Sequence, residues 1–324
     1  MNAIVVYGAT GHTGRFVVQE LLRQDLPVIA AGRNAAALEE QWGHLDVRPA
    51  AVDDPQSLDL ALKNAAAVIN AAGPFVNTAE PLIDAAARQR IPYVDVAAEI
   101  EVNTESLARR SDLPVVPAMA FYGGIGDLLT TALLGERTTA DSVQVAYGLS
   151  SWHPTPGTRA AGKVWHDRRN GRRVRFADGR LQYHDDPPVQ EDWTFPEPVG
   201  ERRVLAEFSM ADIVTIPSHL DVREVRTYMT LAAAGDLFDA DTPAPAAVDD
   251  EGRSDQTFVV DVRVDGLRAS ASGQDIYAIS APLAVGAVRR ILGGETRSGG
   301  VASAGAMFDA VEFLKDLPLT LDLP

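Results

Sequence analysis

The chain has 324 residues, of which 46% are hydrophobic, enough for one large domain or two smaller ones with a sizeable core. A formal net charge of −16 and a pI near 4.7 argue against nonspecific binding to nucleic acid or to an anionic membrane. The lack of cysteine excludes disulfides, thiolate metal sites and cysteine nucleophiles.

The first expected strand, Ala3–Tyr7, runs into a glycine turn and then into an apolar helical pattern at Phe16, Val17, Leu21 and Leu22. It leaves no room for a preceding signal peptide. No apolar run is long enough to span a bilayer, so a cytoplasmic protein is expected. Strand, glycine turn and helix in that order form the context a dinucleotide phosphate site requires. Gly8 allows the sharp turn, Gly11 the approach of a pyrophosphate, and Gly14 close packing of the helix on the sheet. Thr10, His12 and Thr13 complete this loop, and the helix N-terminus offers free N–H groups to phosphates. An ordinary tight turn is the rival reading.

The second strand, expected at Pro27–Ala31, ends in Gly32-Arg33-Asn34. An NAD site carries an acidic residue near this point to bind the ribose. Here a small Gly32 leaves room and the Arg33 guanidinium suits a phosphate. Arg33 and Asn34 are therefore assigned to the cofactor, which is expected to be NADP(H). The alternative is a surface arginine, in a chain whose only lysines are Lys63, Lys163 and Lys315.

Further strands are expected at Val47–Val52, Ala67–Ala71, Tyr93–Val96 and Val115–Pro117, with helices near 13–24, 35–42, 55–64, 79–89 and 101–110. This alternation predicts a doubly wound parallel sheet of the Rossmann type, with ligand at the C-terminal strand ends. Asp53 is expected near the adenine, unless it or Asp54 caps the helix that opens with Pro55. The small residues Ala72, Gly73 and Pro74 let the cofactor pass closely. Phe75 is expected to cover the nicotinamide, or else is a packed aromatic. Asp95 and Glu99 surround the end of the fifth strand, Asp95 as a substrate ligand and Glu99 as a catalytic group; loop capping is the alternative. Tyr122 and Asp127 flank the glycines where the pattern changes. Tyr122 is expected to donate a proton and Asp127 to fix an amine or a water, or to cap a helix.

Beyond Gly123 the segments Val143–Leu149, Val174–Phe176, Val204–Phe208, Val222–Leu231, Thr257–Val264 and Arg268–Ser272 read as antiparallel strands. In TFVVDVRVD, Phe258, Val260, Val262 and Val264 alternate with polar positions, which fits a sheet with one covered face. Asp265-Gly266 predicts a hairpin. Residues 239–252 are acidic, rich in Ala and Pro, and expected to form a mobile loop. His153, Arg159, Lys163 and His166 form a polar cluster. Arg159 and Lys163 at i,i+4 can meet a carboxylate or phosphate, or belong to a solvated helix face. Two helices close the chain, near Pro282–Leu292 and 303–316. No tyrosine stands four residues before any lysine, so short-chain dehydrogenase chemistry is not expected. The histidines show no metal-ligand spacing, so no metal is expected.

GATGHTGR (8–15), AAGRN (30–34), INAAGPF (69–75), YVDVAAE (93–99) and GQDIYAISAPLAVGAVRRIL (273–292) together resemble the saccharopine dehydrogenase-like NADP-binding oxidoreductases. That family includes saccharopine reductases, which act on C=N bonds, and trans-acting enoyl reductases, which act on C=C bonds. The resemblance covers the first 130 residues well, the last 50 moderately and the middle weakly. It implies a Rossmann domain (1–124), an inserted α+β domain with a mostly antiparallel sheet for substrate and dimerisation (125–275), and C-terminal helices returning to the nucleotide domain (276–324). Many relatives carry a proline where this chain has Gly126, before Asp127, and the region 235–255 is shortened. The implied activity is NADPH-dependent reduction of a polarised C=C or C=N bond of a small molecule, in a homodimer. A nonenzymatic NADP(H)-binding redox sensor acting through a protein partner is the alternative.

Overall fold

Short apolar runs become strands buried on both faces. In the computed structural model, which describes residues 2–324, the first half builds β1 (Ile4–Tyr7), α1 (His12–Arg23), β2 (Val28–Gly32), α2 (Ala35–Trp42), β3 (Asp46–Pro49) and α3 (Pro55–Leu62). It continues with β4 (Ala67–Asn70), α4 (Phe75–Gln89), β5 (Tyr93–Asp95), α5 (Ile100–Leu107) and β6 (Val115–Val116). The strands form a parallel sheet in the order β3-β2-β1-β4-β5-β6. Ile4, Val6, Ala30, Ile69 and Val94 face one core, while Val5, Tyr7, Ile29, Val68 and Tyr93 face a second. Two covered faces explain why these strands read as continuous apolar runs. The strand order reverses between β1 and β4, which is where a doubly wound sheet opens a crevice.

The second half starts at an irregular helical turn over Phe121–Ile125 and continues with α6 (Gly126–Leu134), β7 (Thr139–Leu149), α7 (Pro156–Arg168), β8 (Arg173–Ala177), β9 (Arg180–His184) and β10 (Gln190–Thr194). Next come β11 (Glu201–Ala206), α8 (Asp212–Thr215), β12 (Asp221–Thr230), α9 (Leu231–Phe238), β13 (Thr257–Val264) and β14 (Leu267–Gln274). The chain closes with α10 (Ser280–Gly293), α11 (Ala304–Met307), α12 (Ala310–Lys315) and β15 (Thr320–Asp322). A nine-stranded sheet runs β10-β11-β12-β7-β13-β14-β15, with β8 pairing to β12 and β9.

Four expectations need correction here. The pair β12–β7 is parallel inside an otherwise antiparallel sheet, because the whole segment from α7 to α8 crosses over between them. The TFVVDVRVD strand is covered on both faces: Val259 packs with Trp193, Phe195 and Tyr228. Asp261 is fully buried, held by Arg268 Nε and Trp193 Nε1 at 2.8 Å each. The expected single helix over 303–316 is broken at Phe308, which is extended, and restarts where Asp309 accepts from the Glu312 N–H. Finally, only α10 returns to α1 and to β4 and β5; α11 and α12 pack on α6, and β15 extends the second sheet. Residues 239–252 hold no helix or strand. No helix among the described residues is long and apolar enough to cross a membrane.

Candidate functional site

A cleft of about 1720 Å³ lies between the C-terminal ends of the parallel strands and the second domain. This exceeds the roughly 300–1,000 Å³ of a small-ligand pocket. Its floor is the glycine turn. Gly8 has φ +89°, and a Cβ there would stand 2.9 Å from the Ala71 and Ala72 backbone. A Cβ on Gly14 would stand 2.0 Å from the Gly8 carbonyl oxygen, so β1 and α1 meet as closely as backbones can. Gly11 precedes α1 and provides no side-chain cap, leaving first-turn N–H groups for an anion. Thr10, His12 and Thr13 line the same floor. Burial lowers the His12 pKa, and its Nε2 is buried without a partner. The ring lies edge-on to Phe16 and Tyr277, at 5.4 and 5.1 Å.

Arg33 is exposed on the cleft wall beyond β2 and forms no ion pair with any described residue. Asn34 also lines the cleft, but its side-chain oxygen is committed to capping α2 through the Ala37 N–H at 3.1 Å. Asp54 caps α3 by accepting from Gln56 and Ser57 N–H. Asp53 is thereby left facing the cleft. Ala72, Gly73, Pro74 and Phe75 form the wall beyond β4.

A buried network fixes that wall. Asn70 Oδ1 accepts from the Ala72 N–H at 3.0 Å, and its Nδ2 donates to Thr78 Oγ1 and to the Tyr93 hydroxyl. Tyr93 in turn donates to Asp95 Oδ2 at 2.9 Å. Asp95 Oδ1 accepts from the Ala97 and Ala118 N–H groups. Burial pushes Asp95 up to about 6, against the opposing pull of these bonds. Asp95 is thus sealed beneath the cleft and touches none of its surface, which corrects its assignment to substrate. Glu99 reaches the cleft, but its two oxygens accept from the Phe75 and Val76 N–H groups at 2.8 and 3.0 Å. It serves as the cap that Pro74, the residue preceding α4, cannot provide. Its burial raises its pKa. The capping alternative to its expected catalytic role is thus what the side chain does in the structure.

Tyr122 stands where the two domains meet. Its ring lines the cleft and packs against Phe121, Tyr147 and Trp152 at 4.7, 4.9 and 5.2 Å. Burial holds its pKa well above 10, and its hydroxyl has no partner. A buried hydroxyl left unsatisfied costs about 1–3 kcal/mol. Asp127 is elsewhere: fully buried, it meets His219 Nε2 at 2.7 Å and the Gly305 N–H at 2.8 Å. Burial works to lower the His219 pKa, yet Asp127 raises it overall. Asp127 ties α6 to α11, so its expected catalytic role is corrected; it does not cap α6 either, being its second residue.

In the second domain, Arg159 lines the cleft and donates to the Asp239 and Thr242 carbonyls at 3.0 and 2.8 Å. Lys163 sits on the rim, paired with Asp167 at 2.7 Å. His153 is not part of the cleft surface; its carbonyl accepts from the Tyr277 hydroxyl at 3.4 Å, which corrects its assignment to substrate. Three elements were not foreseen. Trp165 on α7 packs on Phe75, Ala79 and Val102 of the first domain. Arg169 forks onto Glu101 with two 2.6 Å bonds across the cleft. The Tyr277 hydroxyl gathers Trp152 Nε1 at 3.1 Å and Thr158 Oγ1 at 3.0 Å. Tyr277 and Trp165 had sequence signals, as the aromatics within GQDIYAISAPL and GTRAAGKVW; Arg169 had none.

Residues 8–114 match the NAD(P)H-binding family model. Curated relatives include a lipid droplet localized protein of Caenorhabditis elegans, 34% identical over 111 residues, covering 30% of this chain and 26% of that protein. A saccharopine dehydrogenase-like oxidoreductase of Homo sapiens is 30% identical over 117 residues, covering 30% and 27%. A probable mitochondrial saccharopine dehydrogenase-like oxidoreductase of Arabidopsis thaliana is 28% identical over 142 residues, covering 36% and 31%. The matched region thus spans between a quarter and a third of these relatives' length. Apo saccharopine dehydrogenase (L-Glu forming) from Saccharomyces cerevisiae superposes over 99% of this chain and 100% of its own, with a TM-score of 0.61 and 12% identity. The fold is that of saccharopine dehydrogenase, and residues 8–114 have the character of an NAD(P)H-binding domain.

Proposed function

We propose that the protein is an NADPH-dependent oxidoreductase that reduces a polarised C=C or C=N bond of a small molecule. The observation carrying this reading is one cleft that joins a glycine phosphate loop to a buried, unpartnered phenol. The loop suits a dinucleotide: side-chain-free glycines, uncapped first-turn N–H groups of α1, and the orphaned Nε2 of His12. Arg33 would meet the 2′-phosphate, and Ala72–Phe75 would flank the nicotinamide. Bound NADPH supplies the hydride. Glu99 and Asn70 hold the wall beside it in one geometry, which removes reorganisation from the reacting complex. Tyr122, neutral because its pKa lies far above the working pH, gives a proton to the atom next to the reduced carbon. Trp165 and the Arg169–Glu101 fork hold α7 over the cleft and exclude water. A buried phenol beside the cleft, without a partner among the described residues, favours an enzyme over a sensor, for which no such group is required.

Two measurements test the reading. Calorimetric titration should show NADPH binding at least tenfold tighter than NADH. NADPH oxidation should then be screened against enones, enoyl thioesters and cyclic imines, with at least one class turned over. A chain that binds neither dinucleotide is not an oxidoreductase of this kind.

A further inference from the structure

We propose that the compartment beyond the cofactor loop takes an amphipathic anion, its apolar chain or ring system laid along a file of aromatic rings and its anionic end at Arg159. The inference rests on the reductase reading and names the substrate class for that site. The file begins at Tyr122, whose ring lies 5.2 Å from Trp152. Trp152 lies 6.0 Å from Phe208, and Phe208 lies 6.1 Å from Phe238. All four rings line the one cleft. The inner end of the file is buried, with Tyr122 at 6% and Trp152 at 3% exposed, and the outer end is open, with Phe238 at 71%. Leu205, Met210 and Leu237 flank it. An apolar track that starts at the proton donor and ends in water gains most from an extended apolar occupant.

The charge at the outer end decides the occupant's polarity. Arg159 donates to the carbonyls of Asp239 and Thr242, immediately after Phe238. No carboxylate of the described residues lies within ion-pair distance of its guanidinium. Arg172, on the same cleft, likewise has none. In a chain with a net charge of −16, Arg159, a cation without an ion-pair partner among the described residues next to the exposed Phe238, complements an anion. A neutral hydrocarbon has no use for Arg159, and a small anion has none for the aromatic file. An amphipathic anion uses both, which places its reducible bond at the Tyr122 end.

The test uses the full chain and cis-parinaric acid, a long polyene carboxylate that fluoresces when it leaves water. The acid should bind saturably, its methyl ester about tenfold more weakly, and butyrate should fail to displace it. Arg159→Met should weaken the acid about tenfold and leave the ester unchanged. Phe238→Ala, at an exposed site that does not threaten folding, should weaken acid and ester alike, by about three- to tenfold. NADPH affinity should be unchanged in both variants, which also certifies their fold. Absence of saturable binding, equal affinity for acid and ester, or indifference to both substitutions overturns the proposal. So does a loss of self-association in Phe238→Ala without any parinarate binding, which would give this surface to a second copy of the chain. Failure of NADPH to bind would refute the reductase reading separately, because the parinarate titration is run without it.

Discussion

Arg33→Ala offers a direct test of how the nucleotide wall discriminates. Arg33 follows β2 on the open cleft, and no described residue pairs with its charge. Its guanidinium is therefore free to bind an anion without breaking an existing bond. A charge-assisted hydrogen bond contributes about 1.5–3 kcal/mol, or about 10- to 150-fold in affinity. Arg33 is exposed, so solvent screening places the expected loss of NADPH affinity near the lower end, about tenfold. NADH lacks the 2′-phosphate and should lose almost nothing. The neighbouring charge sharpens the case: Arg33 lowers and Asp53 raises the Tyr7 pKa, which burial dominates, so both charges stand around the same tyrosine. Asp53→Asn should therefore tighten NADPH while leaving Arg33's contribution in place. The assay is isothermal titration with each dinucleotide at low and high salt. Between 0.1 M and 1 M ionic strength the Debye length falls from about 10 to 3 Å, so the gap between parent and Arg33→Ala should shrink. Equal losses for NADPH and NADH, or a gap indifferent to salt, would refute the reasoning.

Three further substitutions probe the scaffold and the proton path. Gly14→Ala should abolish NADPH binding and cost about 1–3 kcal/mol of stability, because its Cβ would meet the Gly8 carbonyl at 2.0 Å; Gly162→Ala within α7, with nothing within 4 Å, is the control and should melt no lower than the parent. Asp212 is raised from 3.8 to about 6, mainly by burial, so the folded chain holds a proton there that the unfolded chain has lost. Its contribution to stability is present below about pH 4 and is lost as pH rises through 6, by roughly 3 kcal/mol. Asp212→Asn should therefore gain on the parent by that amount between pH 4 and 7 in urea unfolding, and a gap that stays constant with pH contradicts the burial argument. Tyr122→Phe should cut turnover about 10²- to 10⁴-fold with NADPH affinity unchanged, and should not lower stability, since the hydroxyl it removes has no partner; parental turnover would point to water as the proton source.

The nucleotide half was legible in the sequence because its physics is local. Strands such as β1 and β4, buried on both faces, must be apolar throughout, Gly14 is demanded by the Gly8 carbonyl six residues before it, and Gly8 by its own positive φ in the turn. The second sheet was less legible. Its strands β9, β10 and β15 are short and largely polar or exposed, so no alternation marks them. The parallel pairing of β12 with β7 joins residues about eighty positions apart, and no periodicity reports such a crossover. The aromatic file has the same character. Tyr122, Trp152, Phe208 and Phe238 come from four separate segments, and each alone is an ordinary hydrophobic residue.

The acids show why position along a strand is not enough to assign a role. Asp95, Glu99 and Asp127 all stand near the ends of parallel strands or at the domain junction, where catalytic groups belong. What decides their roles is the supply of backbone N–H groups around them. Asp95 meets those of Ala97 and Ala118, Glu99 those of Phe75 and Val76, and Asp127 that of Gly305. A carboxylate so engaged is held in one place and has few lone pairs left for a ligand. Its effect is exerted on the backbone it grips. Asp95, through Tyr93 and Asn70, and Glu99, through the first turn of α4, grip opposite ends of one short segment, residues 70–76. In the proposed reading, that segment is the wall along which the nicotinamide would lie. The two buried acids therefore stiffen the surface assigned to the nicotinamide, and Tyr122, the one buried cleft-lining hydroxyl without a bond among the described residues, is the proton donor the proposed reduction would use.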